Sequence, residues 1–330
     1  MVVRAGAQTG ALDHAYRYRR LRAASASRFG VWITGWPTWP STLGLCSSDM
    51  MTRTFFGGMA LILSQRPMKK PPFHFVPLPR DRSTRKPRAG GRTMIVDDGL
   101  PLAYARDLVA LGGAYIDLAK IKTGTARLYP RDQLVKKLKL YKKHRIQPFL
   151  GGQFHEYVFA TQGEKALPKY YAESLALGFE AIEISDNVVP LTDAQRRKQI
   201  CNAVAAGLIV YGEVGSKETL SNPGLLIGQA EICFEAGAAL VLVEAAELVE
   251  KGKLRKQTID LLTKSLDMSR VMIELPGPWI SDVRSCDIED MKKALVQELG
   301  PDVNLANVPP ASIIDTEATR TGLGTAGPPK

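Results

Sequence analysis

From Thr93 onward, short apolar runs alternate with stretches of helical period. The runs occupy 93–96, 115–120, 147–150, 181–185, 208–213, 239–243, 270–274 and 302–305, and are built mainly on valine, isoleucine and leucine. They are too short for helices and suit a pleated surface. Between them the hydrophobic positions recur every three or four residues. In 132–144, Leu134, Leu138 and Tyr141 share a face, while Lys136, Lys139 and Lys143 fall elsewhere. Two helix starts are written in capping chemistry. Thr192 with Gln195 forms a capping box, and Asn222-Pro223 sets a cap before a proline at the first helical position. Strand centres recur roughly every 22 to 35 residues, the spacing of βα units. Eight such units in about 230 residues predict an α/β protein, a (β/α)8 barrel of the TIM type. The rival is an open doubly wound sheet, but no G-x-G-x-x-G follows the first run, and eight regular units favour closure.

Such a barrel carries its chemistry at the C-terminal ends of its strands. Those positions hold Asp97 and Asp98, Lys120 and Lys122, then Gly151-Gly152-Gln153 with His155 and Glu156. Next come Glu183 with Ser185 and Asp186, Glu213 with Lys217, Glu244, Glu274, and Asn304 with Asn307. One carboxylate at one strand end commonly caps a helix or pairs with a lysine; recurrence at strand after strand points to a site. Five or six carboxylates do not all stay ionised in one mouth without cations. Hard oxygen donors at that density, with no thiolate and one nearby histidine, suggest Mg²⁺ rather than zinc. Lys120 and Lys217 suit an anionic substrate, either as proton donors or as Schiff-base formers. A structural ion pair inside the barrel is the plainer alternative for each.

Composition redirects attention from the whole chain to this end of it. The 330 residues carry a net charge of +11, which by itself invites a polyanionic partner. Residues 1–92 hold 16 Lys+Arg against Asp13, Asp49 and Asp81, whereas the rest holds 28 basic and 30 acidic side chains. The barrel is therefore nearly neutral, and neither nucleic acid nor membrane is expected as a partner. Residues 1–70 contain no glutamate and no sustained period. Three readings of them stay open: a disordered extension or mis-called start (Met50, Met51, Met59 and Met68 offer later ones), an organellar transit peptide, or a basic arm. The Pro- and Arg-rich stretch 71–92 reads as an extended lead-in to the barrel at 93–325. Cys46, Cys201, Cys233 and Cys286 show no CxxC and no zinc spacing, which suits a reducing, cytoplasmic setting. No apolar stretch is long enough to span a bilayer.

The strand-end residues lie in ordered strings that resemble the phosphosulfolactate synthase family. These are TMIVDDGLP (93–101), YIDLAKIKTGT (115–125), LGGQFHEY (150–157), LGFEAIEISDN (177–187), YGEVGSK (211–217) and VNLANV (303–308). The resemblance covers roughly residues 73–323 and none of the first seventy. It implies a barrel enzyme that adds sulfite to phosphoenolpyruvate with Mg²⁺, giving 2-O-phospho-3-sulfolactate, a step of coenzyme M biosynthesis in archaeal members. On that basis Lys217 is expected as the proton donor and Lys120 as an acid or phosphate contact. Glu183, Asp186, Glu213 and Glu244 are the implied metal ligands. Substrate contacts are expected from the backbone of Gly151 and Gly152, from Asn304 and Asn307, and from Gln153, His155 and Ser185.

The chain departs from the family's pattern in places. K-F-G-W-G-T becomes Lys120-Ile121-Lys122-Thr123-Gly124-Thr125, and the loop G-R-E-S-G after the sixth run becomes Ala245-Ala246-Glu247-Leu248, without arginine. Lys122 or Arg127 is expected to replace that charge, or else the substrate is a related anion. Two other functions stand beside this one: a Schiff-base lyase or aldolase, and a non-enzymatic protein akin to the heat-stress-associated proteins of the same superfamily. A homo-oligomer is expected in any of these cases.

Overall fold

Eight parallel strands hydrogen-bond in sequence order and close into a barrel when the eighth pairs with the first. The computed structural model describes residues 71–80, 82–215, 220–250, 253–277 and 283–323; the expectations for residues 1–70 and for Lys217 lie outside these. The strands are β1 (Thr93–Asp97), β2 (Leu118–Ile121), β3 (Gln147–Leu150), β4 (Ala181–Ile184), β5 (Ile209–Val214), β6 (Leu240–Glu244), β7 (Val271–Glu274) and β8 (Leu305–Val308). Helices α1 (Leu102–Gly112), α2 (Arg131–Lys143), α3 (Gly152–Gln162), α4 (Leu167–Leu177), α5 (Asp193–Ala205), α6 (Pro223–Glu235), α7 (Lys256–Ser265), α8 (Ser285–Leu299) and α9 (Ile313–Thr321) connect or follow them. A two-stranded ribbon, Val249–Glu250 with Lys253–Leu254, precedes α7. The predicted caps are present: the Thr192–Gln195 box opens α5, and the Asn222 side chain accepts from Gly224 N at α6.

Two predicted strands are shifted. The second begins at Leu118, because Gly113–Tyr115 form a 3-10 turn. The eighth begins at Leu305 and not at 302, since Asp302–Asn304 are taken up in bonds below the barrel. That slip changes which asparagine reaches the mouth.

Period-two alternation sets the layers. Ile95, Ala119, Ile182, Val210, Val241 and Ile273 face the helices within the larger core. Met94, Leu118, Phe149, Ala181, Tyr211, Leu242, Met272 and Ala306 fill the barrel interior. Two residues further along their strands, the same inward phase carries Lys120, Glu183, Glu213, Glu244 and Glu274. The apolar layer plugs the barrel and forms the floor of a charged one.

Charged side chains also hold the outside of the barrel together. Asp97 is fully buried and receives Lys137 Nζ at 2.9 Å, Tyr141 Oη at 2.8 Å and the backbone N–H of Leu100 at 2.9 Å. It is therefore a structural hub and not part of the mouth. Lys137 shares the apolar face of α2 with Leu134, Leu138 and Tyr141, where periodicity alone puts no charge. At the seam between last and first strands, the buried Arg320 of α9 donates to Pro301 O and Val303 O, and to Arg92 O and Thr93 Oγ1. In the lead-in, Arg82 bonds Glu317 Oε1 at 2.8 Å and Pro301 O at 2.9 Å. Among the described residues no helix is long and apolar enough to cross a membrane.

Candidate active site

The C-terminal ends of the strands enclose a pocket lined by Lys120, Lys122, Thr123, Gly151, Gly152, Gln153, Glu183, Asn187, Glu213, Glu274 and Asn307. Its centre is the Lys120 ammonium, which meets Glu274 Oε1 at 2.7 Å and Glu183 Oε2 at 2.8 Å. Burial works against that charge, but the carboxylates of Glu183, Glu274 and Glu213 outweigh it and hold the lysine well above its ordinary pKa. Glu183 is pushed the other way from a normal carboxylate, upward, first by burial and then by repulsion from Glu213 and Glu274, despite Lys120. Buried acids at this density are balanced by shared protons or by cations in addition to Lys120.

Geometry says where a cation fits. Glu213, Glu244 and Glu274 are all buried and each offers a carboxylate oxygen within 4.8 Å of the others. Oxygens around six-coordinate Mg²⁺ lie about 3 to 4 Å apart, so a slight contraction closes the set on a hard divalent ion. The donors are all oxygen, which suits Mg²⁺ and not zinc. Glu274 belongs to this triad, although the family resemblance does not name it; its signal in the sequence is its inward phase, two residues after Met272.

The neighbouring loops are fixed by hydrogen bonds to carboxylates. Gly152 N donates to Glu183 Oε1 at 3.0 Å, and a Cβ at Gly152 would lie 2.1 Å from Ser185 Oγ, so no side chain fits there. Glu156 gathers the loop after β4, accepting from Ser185 Oγ, Val188 N at 2.6 Å and Val189 N at 2.8 Å. That loop presents Asn187, whose Nδ2 donates to Glu213 Oε1 at 2.7 Å. Asn187 and Thr123 are site residues that no spacing rule singles out. Among the described residues, Thr123 (φ 49°) and Asn307 (φ 57°) are two of four non-glycine residues with positive φ, and both line this pocket. The conformation is costly for a β-branched threonine, and such strain gathers at functional sites.

Of the expected residues, Glu244 joins the carboxylate cluster without lining the pocket, and four others do not reach it. Asn304 lies at the opposite end of the barrel, donating to Met268 O and Val271 O and accepting from Arg92 N, because β8 starts one residue after it. Asp186 is held by Arg196 Nη2 at 2.6 Å and stands outside the clustered carboxylates. Ser185 is committed to Glu156. His155 points from α3 into the helical layer, stacked on Tyr171 with Nε2 3.1 Å from its hydroxyl.

Burial lowers the His155 pKa to about 4, from an ordinary 6.5. Between those values the unfolded chain binds the proton more readily, so stability falls as pH drops from 6.5 towards 4. The loss attributable to this residue is about 3 kcal/mol at most. Urea midpoints across that range should slope less in His155→Gln than in the parent chain; parallel slopes would assign the acid sensitivity elsewhere.

Comparison with known proteins bears on the whole domain. The family profile described as (2R)-phospho-3-sulfolactate synthase (ComA) matches residues 81–325. The phosphosulfolactate synthase of Methanothermobacter thermautotrophicus is 33% identical over 262 residues, covering 76% of this chain and 95% of that one. The chain belongs to the phosphosulfolactate synthase family. The phosphosulfolactate synthase of Bacillus subtilis is 31% identical, over 73% of this chain and 93% of its own length. Protein HEAT-STRESS-ASSOCIATED 32 of Arabidopsis thaliana is also similar, at 23% identity over 63% of this chain and 77% of that one. Membership places the chain in an enzyme family.

Proposed function

We propose that this member of the phosphosulfolactate synthase family adds sulfite to phosphoenolpyruvate, giving 2-O-phospho-3-sulfolactate. What carries the reading is the buried triad Glu213, Glu244 and Glu274 beside the Lys120 ammonium, in a chain of this family. The sulfite sulfur attacks C3 of the enol, and negative charge moves through C2 onto the substrate carboxylate. Mg²⁺ held by the triad would supply the positive charge that favours that build-up. Lys120 adds a second, fixed positive charge. With its pKa held high it keeps its proton, so it serves as an electrostatic partner and is a poor acid or Schiff-base nucleophile. We assign protonation of C2 to Lys217, which follows the last residue of β5 by three positions in the sequence. We assign the phosphate to Lys122, Asn307 and the start of α3 at Gln153, since Gly151 N and Gly152 N already donate to Ile121 O and Glu183 Oε1.

The pocket encloses about 30 Å³, room for an ion or a water, so the substrate requires its lining loops to open. The Schiff-base alternative is weakened by the ion pairs of Lys120, and the non-enzymatic one by the lower identity of its relative. The test is incubation with phosphoenolpyruvate, sulfite and Mg²⁺, following sulfite-dependent product by mass spectrometry. Product that requires all three supports the assignment. Absence of product, with turnover of a different carboxylated anion, would overturn the substrate while leaving the metal triad standing.

A further inference from the structure

The N-terminal end of the barrel, opposite the carboxylate cluster, is the more basic of the two. A cavity of about 370 Å³ opens there, within the range that small ligands occupy. Four guanidiniums line it, those of Arg88, Arg92, Arg145 and Arg270, against the single carboxylate of Asp117. Asp117 is already satisfied: Arg88 Nη1 donates to one oxygen at 2.7 Å, and Thr93 N to the other at 2.9 Å. Three arginine charges are left over. Two carboxylates outside the lining also act on this end: Glu180 pairs with Lys142, while Asp267, held ionised by Ser269 N, offsets part of the charge of Arg270 and Arg92.

The remaining arginines are held by carbonyls, which orient them without neutralising them. Arg92 Nε donates to Arg88 O and its Nη1 to Ser269 O at 2.9 Å. Arg270 Nη2 donates to Ala238 O at 2.7 Å, while its guanidinium lies 4.1 Å over the Phe234 ring. Arg145 Nη1 reaches Lys86 O at 3.2 Å. Among the described residues, Arg92 Nη2, Arg270 Nη1 and Arg145 Nη2 make no hydrogen bond. Guanidinium forks with spare donors are what bidentate recognition of phosphate needs. Arg145 also occupies the left-handed position after α2, at φ 55°, where glycine is the usual residue.

We propose that this cavity is a second binding site, for a small soluble organic phosphate. The Arg92, Arg145 and Arg270 forks hold its anionic end, and the aliphatic walls Leu118, Ile209 and Leu240 receive its carbon portion. The site is separate from the reaction centre. Tyr211 Oη donates to Gln147 Oε1 at 2.9 Å, and the Tyr211 and Phe149 rings, 4.9 Å apart, fill the barrel between the two ends.

The probe is inorganic pyrophosphate, titrated into the full chain by calorimetry in EDTA, with Arg145→Gln, Arg270→Gln and the mouth variant Lys122→Gln alongside. One pyrophosphate should bind the parent chain and Lys122→Gln with equal affinity, and at least tenfold more weakly to each arginine variant. Arg145 is exposed and makes one carbonyl bond, so its loss does not threaten folding; circular dichroism checks Arg270→Gln. No binding to the parent chain, unchanged affinity in Arg145→Gln, or loss of binding in Lys122→Gln would each overturn the proposal.

Discussion

Lys120→Met is expected to lower folding stability by about 3 to 5 kcal/mol and to leave turnover below detection. Lys120 is 9% exposed, and its ammonium is the shared partner of Glu183 and Glu274, each exposed by 1% or less. Removing one member of a buried charged set costs more than the set contributes, because the remaining carboxylates keep their desolvation and lose their counter-charge. Methionine matches the lysine stem in length, so packing changes little and the loss reports on charge. Urea denaturation in EDTA isolates the folding effect, and product formation at saturating substrate isolates the chemistry. A variant within 1 kcal/mol of the parent would show that the carboxylates balance one another by sharing protons without the lysine.

Glu244→Gln is expected to weaken Mg²⁺ binding by at least tenfold and to cut turnover in step. The amide keeps the shape and one oxygen but removes the negative charge that a hard cation requires. The same substitution at Glu183, which belongs to the lysine and to Gly152 N, should weaken Mg²⁺ less. Calorimetry with Mg²⁺ alone measures both. Thermal unfolding with and without the ion gives a second reading, because a ligand bound only by the folded chain raises its melting temperature. Equal weakening by the two variants would move the ion towards Lys120; no Mg²⁺ binding by the parent chain would remove it from the site.

Much of this barrel is legible in the sequence because its signals are local and repeated. Eight apolar runs, the Thr192–Gln195 box and the Asn222-Pro223 start need no knowledge of distant contacts. The inward phase is legible too: Lys120, Glu183, Glu213, Glu244 and Glu274 each follow an inward apolar position by two residues, or in β4 an inward alanine. What the chain does not announce is register and partner. A slip of three residues in β8 moved Asn304 from the mouth to the base. His155 sits one helical turn past Gly151-Gly152, close in sequence to the pocket, yet the direction of α3 turns it into a tyrosine layer. Asp97 reads as a strand-end acid until Lys137, forty residues later, proves to be its partner. Asn187 enters the site only because Glu156 ties down its loop.

The seam held by Arg320 bears on how the chain is made. β1 needs β8 on one side, and the guanidinium that fastens Arg92 and Thr93 to the strand's lower end arrives 228 residues after Arg92. On a ribosome, a nascent chain that stops short of β8 has seven strands and two open edges, and one that stops short of α9 has the eighth strand without the guanidinium that fastens it. Such edges are the surfaces on which unfinished barrels pair wrongly. The last helix therefore works as a late latch. Until it emerges, the wall around Glu213, Glu244 and Glu274 lacks the bonds that fasten its closing seam.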